Sequence, residues 1–290
     1  MPPITIKGVL DVVLDLGLVP KYVDLDLETL CYNLDDLNET VGENTKVAIM
    51  TYLFGLVPDM EKTIKILKAK NIFIIEDFSQ CLNGKYNDKR VGSYGDVGVY
   101  SSSSIKTLDT LGGGLAVTSN QVLFNDLKKS QDMLSPANRL FLIKKSFINL
   151  YRNFALTNPI YDLFTFPFLQ FIRLINPNLA LKQTGNRNKR RLYALPDIWF
   201  SQYSSLQANI GMSNLKKCRQ IDIKRISNVE IIKKKLGNDR FPLATKNSYN
   251  VYWQLLIIVP NALEAQAFLS KKGIDVATSS LELLSSLDDY

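Results

Sequence analysis

The chain has 290 residues, 46% hydrophobic and 22% charged, enough to bury a substantial core in one large domain or two smaller ones. Histidine is absent, which excludes Ser-His-Asp and Cys-His catalysis and every histidine-ligated metal; the three scattered cysteines, Cys31, Cys81 and Cys218, fit neither a zinc site nor a disulfide framework. The net charge of +7 is uneven: residues 1–120 carry 11 Lys/Arg against 16 Asp/Glu, residues 121–191 carry 12 against 3, and residues 192–290 carry 12 against 9. That basic middle is either a solvated face or a surface that attracts something anionic.

The opening "MPPITIKGVLDVVLDL" has no basic n-region and no small-residue cleavage site. No run reaches the roughly 18 charge-free apolar residues that a membrane-spanning helix needs. With the unpaired cysteines, these features lead us to expect a cytoplasmic protein in a reducing compartment and no resident metal.

In chain order, "PKYVDLD" (20–26) and "TKVAIMTYLFG" (45–55) read as buried strands. "PDMEKTIKILKAKN" (58–71) sets Met60, Ile64, Ile66 and Leu67 at near-helical spacing, and "IFIIED" (72–77) is a short apolar run ending in carboxylates. Helix followed by short apolar strand, repeated, predicts parallel α/β architecture. "DVGVYSSS" (96–103) and "GGLAVTSN" (113–120) add two strands around a tight connection.

From 121 to about 195 the chain is aromatic and basic, broken by Pro159 and Pro167. It reads as core helices, as a partner-facing insertion, or as an interfacial membrane contact over 139–182. Beyond it, "SSLQANIGMSNLKKCRQIDIKRISNVEIIKKKLG" predicts a long helix or helix pair, "YNVYWQLLIIVP" (249–260) a strand, and "NALEAQAFLSKKGI" (261–274) a helix closing at Gly273.

Three features could carry chemistry. Asp77 ends an apolar strand, at the sheet edge where parallel α/β proteins bind ligands. Lys106 lies 29 residues on, behind a run of four serines, and a partly desolvated lysine can form an imine with a carbonyl. The serine hydroxyls and turn amides could hold a phosphate. An acid for a pyridine nitrogen, an imine-forming lysine and a phosphate cradle are together what pyridoxal 5'-phosphate requires. Read singly, each has a plainer meaning: Asp77 a turn residue, Lys106 a solvated lysine, the glycine run a turn.

The pieces "TKVAIMTYLFGLVPDM", "IIEDFSQCLNGKY", "VGSYGDVGVYSSSSIKTL" and "GGGLAVTSN", in that order and spacing, resemble the core of the DegT/DnrJ/EryC1/StrS family of sugar aminotransferases. "MPPITIKGVLDVVLDLGLVPKYVDLD" and "SSLQANIGMSNLKKC" resemble the family more weakly on either side. The resemblance implies the fold-type-I transferase fold: a mainly parallel sheet sandwiched by helices, with a smaller α+β carboxyl-terminal domain. It divides the chain into a cofactor-binding domain over 1–195, with an insertion at about 121–195, and a small domain over 196–290. It implies pyridoxal phosphate as cofactor and catalytic roles for Lys106 and Asp77. Asp77 would pair with the pyridine nitrogen, Gln80 would lie beside the ring, Ser101 would contact the phosphate, and Lys106 would hold the cofactor covalently and shuttle protons.

The implied activity moves an amino group from an amino acid, glutamate above all, to a keto-sugar nucleotide for surface polysaccharide or lipopolysaccharide. The implied assembly is a homodimer; the basic segment is as apolar as it is basic and carries no recognised nucleic-acid motif, so no nucleic acid is expected. The pattern also departs from the family. The family's phosphate-binding Gly-Thr/Ser turn would precede Met1, and a further strand and helix would follow Tyr290, as though the chain were a fragment. Ile6 stands where an aromatic often stacks on the cofactor, and "IWFSQ" (198–202) lacks the Asn-x-Arg that reaches a neighbouring subunit, for which "RNKRR" (187–191) is a candidate substitute. These departures leave open a second reading, a non-catalytic relative that acts as a binding or assembly partner.

Overall fold

A computed structural model of the chain describes residues 1–103, 105–175, 192–278 and 281–287. Its centre is a four-stranded sheet of β2 (Val47–Thr51), β3 (Phe73–Asp77), β6 (Val97–Ser101) and β7 (Gly114–Val117), in that order. The β2–β3 and β3–β6 pairs are parallel and β6–β7 is antiparallel. Each of the apolar runs at 47–51, 73–77 and 97–101 thus became a strand, with its carboxyl end on the same edge of the sheet.

The helix α3 (Met60–Ala69) crosses from β2 to β3. Asp59 caps it by accepting the Lys62 amide at 3.1 Å, and Met60, Thr63 and Leu67 recur on one face and are fully buried. They pack into the core cluster with Met50, Tyr52, Val57, Ile74 and Tyr100. Burying a side chain such as Leu67 contributes roughly 2 kcal/mol.

Two small sheets flank the central one. β1 (Ile4–Thr5) pairs antiparallel with β9 (Glu282–Leu283), and β4 (Lys85–Tyr86) lies between β5 (Lys89–Arg90) and β8 (Ser248–Tyr249). Helices α1 (Lys7–Asp15) and α2 (Leu34–Thr40) precede β2. Helices α4 (Gln121–Asp132), α5 (Arg139–Ala155) and α6 (Phe166–Ile175) follow β7. One uninterrupted helix, α7 (Ser205–Leu236), runs 32 residues from a capping box between Ser204 and Gln207 to Gly237, whose φ is +87°. Helix α8 (Ala262–Lys271) stops just before Gly273, as the sequence suggests.

Two segments expected to be strands are not. In 20–26 the backbone turns back locally: the Asp26 amide donates to the Cys31 carbonyl at 2.8 Å, and the Asp26 carboxylate accepts both the amide and the hydroxyl of Thr29. Only an isolated bridge joins Leu25 to Tyr32. The Asx turn outcompetes the apolar pattern. In 249–260 only Tyr249 is extended in a sheet, because Tyr252 adopts a φ of +46° and the backbone bonds to loops instead. The Val251 amide reaches the Gly55 carbonyl at 3.0 Å and the Ile258 amide the Arg240 carbonyl at 2.8 Å. A strand needs a neighbouring edge, and apolar alternation cannot supply one.

Helices α4 and α5 are not core. Helix α4 buries none of its residues and α5 buries only Leu142. Among the described residues no helix is long and apolar enough to cross a membrane.

Candidate active site

Asp77 is the last residue of β3 and is flanked in register by Thr51 and Val99. Its neighbours hold the edge together: the Tyr52 amide donates to the Asp77 carbonyl and the Phe78 amide to the Val99 carbonyl, both at 3.0 Å. The carboxylate is buried, and its Oδ1 accepts the Ser79 amide hydrogen at 3.0 Å. Burial raises its pKa, and the Ser79 hydrogen bonds and the Lys106 charge pull it back down. The Lys106 charge thus acts on Asp77 against the larger effect of burial.

Lys106 sits in the loop between β6 and β7, and that loop is held on several sides. The Leu108 amide donates to the Tyr100 hydroxyl at 2.8 Å, and the Thr110 amide to the Ser102 carbonyl at 2.9 Å. From α7, Asn214 Nδ2 reaches the Asp109 carbonyl at 3.2 Å and Gln207 Nε2 the Gly112 carbonyl at 3.0 Å. The Tyr203 hydroxyl donates to Thr110 Oγ1 at 2.6 Å. Ile105, next to the lysine, has a φ of +76°, a left-handed conformation costly for a β-branched residue that these contacts must sustain.

Trp253 lies beneath the lysine. The Lys106 Nζ is 4.3 Å from the centre of the Trp253 ring, and the indole Nε1 donates to the Ile105 carbonyl at 3.3 Å. Trp253 reaches this place because Gly55, with a φ of +82°, lets the turn after β2 come within contact of the Tyr252–Trp253 backbone. A Cβ on Gly55 would stand 2.6 Å from the Trp253 nitrogen.

Of the other residues singled out from sequence, Gln80 is buried and its Oε1 accepts the Phe54 amide at 2.6 Å. The Ser101 amide donates to Ser79 Oγ at 2.8 Å, and the Ser101 and Ser103 hydroxyls are 3.2 Å apart. The Ser79 amide and hydroxyl thus tie Asp77 to Ser101. Ser104 and the basic run 187–191 lie outside the described residues. Ile6 is half exposed.

Sequence reading found no function for Glu76, which the structure makes plain. Its side chain is fully buried and accepts four hydrogen bonds: the Tyr52 hydroxyl, the Gly92 amide at 2.7 Å, the Tyr94 amide at 2.6 Å and the Gly95 amide at 2.5 Å. These fix the 92–95 turn that leads into β6. Trp253 was also missed; 147 residues separate it from Lys106, and no local pattern links them.

The donor set fits pyridoxal phosphate. A carboxylate buried at the sheet edge, costly to ionise there without a cationic partner, suits a protonated pyridine nitrogen, and the paired hydroxyls of Ser101 and Ser103 suit a phosphate.

Residues 1–134 match the model of the DegT/DnrJ/EryC1/StrS aminotransferase family. Over 125 residues the chain is 31% identical to the GDP-perosamine synthase of Escherichia coli O157:H7, a match covering 43% of this chain and 34% of the relative. It therefore spans about a third of that relative in sequence. In fold it is similar to the sugar aminotransferase CalS13 from Micromonospora echinospora, with a TM-score of 0.69 and 19% identity over 99% of this chain and 68% of that one. It is also similar to an E. coli GDP-4-keto-6-deoxy-D-mannose-3-dehydratase with bound hydrated PLP, with a TM-score of 0.67 and 18% identity over 95% of this chain and 64% of that one. Over its first 134 residues the chain is similar to the DegT/DnrJ/EryC1/StrS aminotransferase family, and its fold is the fold-type-I transferase fold of these structures.

Proposed function

We propose that the protein takes part in pyridoxal-phosphate-dependent transfer of an amino group from an amino acid, with glutamate as donor, to a keto-sugar nucleotide. The product class would feed surface polysaccharide or lipopolysaccharide, in the cytoplasm, with a homodimer as the working unit. The observation that supports the reading is buried Asp77 at the carboxyl end of β3, with Lys106 in the loop that follows the same end of the neighbouring β6. The nucleotide-sugar names of the relatives support the substrate class.

When bound, pyridoxal phosphate supplies an electron-accepting ring that stabilises negative charge at the amine-bearing carbon. The protein's residues do the rest. Asp77 would pair with the pyridine nitrogen and keep it protonated. Ser101 and Ser103, with the turn amides near them, would hold the phosphate. Gln80, its oxygen engaged by the Phe54 amide, would be locked beside the ring with its –NH₂ available as a donor. Lys106 would hold the cofactor covalently and would carry the proton of the amine-bearing carbon.

The test is reductive trapping. Borohydride treatment of the chain with pyridoxal phosphate should fix a pyridoxyl group on Lys106, located by peptide mass mapping and absent in Lys106→Ala. A label on a different lysine, or none, would overturn the assignment. With a keto-sugar nucleotide and glutamate, formation of 2-oxoglutarate and amino sugar distinguishes amine transfer from dehydration.

A further inference from the structure

Helix α5 is held to the body along one face. Leu142 is buried, Asn149 Nδ2 donates to Asp109 Oδ2 at 2.9 Å, and Arg152 Nη2 meets the same oxygen at 3.1 Å. Positions 142, 149 and 152 share a side of the helix. On the opposite side Leu140, Ile143, Phe147, Leu150, Tyr151 and Phe154 form a continuous apolar stripe, each from 53% to 77% exposed. At 100° per residue, Arg139 and Lys144 fall at the two borders of that stripe, and both are exposed.

A second stripe follows. After a short connection, in which Thr165 Oγ1 donates to the Ala155 carbonyl at 2.7 Å, Phe164, Phe168, Phe171 and Ile175 recur at helical spacing into α6, each 58% to 69% exposed. A soluble face rarely leaves this many large apolar side chains uncovered.

We propose that this face, led by α5, docks in the plane of a membrane whose surface is rich in anionic lipid. Neither α5 nor α6 is long and apolar enough to cross a bilayer, so a helix of this kind lies along the surface. Apolar side chains of the stripe enter the acyl boundary, while Arg139 and Lys144 extend along its borders to anionic headgroups. Charge decides between lipid and a second copy of the chain. Residues 121–175 carry seven Lys/Arg against three Asp/Glu. Two copies joined about a two-fold axis through this stripe would set Arg139 and Lys144 of each around one apolar seam, like charges together. Anionic lipid answers both the apolar stripe and the charge.

The experiment is co-sedimentation of the full chain with vesicles of phosphatidylcholine alone and of phosphatidylcholine with phosphatidylglycerol. Binding to the anionic vesicles should be at least about tenfold stronger than to the neutral ones and should weaken as salt is raised. The double variant Phe147→Ser, Phe154→Ser should lose about tenfold or more while its circular-dichroism melt is unchanged. Arg139→Glu with Lys144→Glu, which alters only exposed charges, should lose the preference for anionic vesicles. Equal binding to both vesicles, binding to neither, or full binding by the serine variant would overturn the proposal. So would a concentration-dependent dimer that the serine substitutions dissociate and that ignores vesicles, which would give the face to a second copy.

Discussion

Glu76 and Asp77 are consecutive residues of β3, both buried, and their carboxylates serve opposite faces of the sheet. Glu76 gathers the Tyr52 hydroxyl and the amides of the 92–95 turn, whereas Asp77 takes the Ser79 amide and meets the charge of Lys106. One carboxylate builds the scaffold and its neighbour is left for chemistry. The two should therefore separate cleanly by mutation.

Tyr52→Phe removes one buried, charge-assisted hydrogen bond from Glu76 and should cost about 1.5–3 kcal/mol, read by urea denaturation. Glu76→Gln should cost more, roughly 3–5 kcal/mol, because a neutral amide cannot accept all four donors. Retention of wild-type stability by Glu76→Gln would remove Glu76 from its scaffold role.

Asp77→Asn should behave in the reverse way. Burial raises the folded pKa of Asp77 above its unfolded value, so between the two the folded chain binds more protons and stability falls as pH rises. Above that window the ionised carboxylate is a standing cost in the cofactor-free chain. The asparagine variant should lose this pH dependence and melt at a higher temperature at pH 7. Its transamination rate should fall about a hundredfold or more. A lower melting temperature without cofactor would show that Asp77 stabilises the fold.

Trp253→Ala should loosen the lysine loop. It removes the ring beneath Lys106 and the donor to the Ile105 carbonyl, together worth about 1–2 kcal/mol. Amide hydrogen exchange in residues 105–112 should accelerate, with β3 unchanged. Unchanged exchange there would mean that the contacts from β6, Tyr203 and α7 hold the loop without Trp253.

Asp109→Ala should release α5 from the body. Asn149 and Arg152 both end on the Asp109 carboxylate, and apart from Leu142 the helix has no buried side chain. Exchange over 139–155 should rise by roughly tenfold, for a local loss on the order of 1–2 kcal/mol. If protection along α5 were unaltered, other contacts would be its anchor.

Much of the fold was legible. Short apolar runs bounded by polar residues became β2, β3 and β6; the helical spacing over 58–71 became α3; Gly273 marked a helix end. What failed were the segments whose state depends on a distant partner. Residues 20–26 and 249–260 read as strands, yet one folds into an Asx turn and the other leaves its sheet after Tyr249 to bond with loops.

The linear sequence by itself determined which residues could do chemistry: no histidine, a carboxylate at a strand end, and a lysine behind serines. It also determined the strand and helix periods, because those are properties of neighbours along the chain. Only the tertiary structure decided that Glu76 is scaffold, held by the Tyr52 hydroxyl and the 92–95 turn, while Asp77 is left at the sheet edge. It alone brought Trp253 under Lys106 across 147 residues, and it alone turned the apolar side of α5 outward. Each of these depends on which surfaces meet, and burial and charge at such contacts are set by partners that local sequence does not contain.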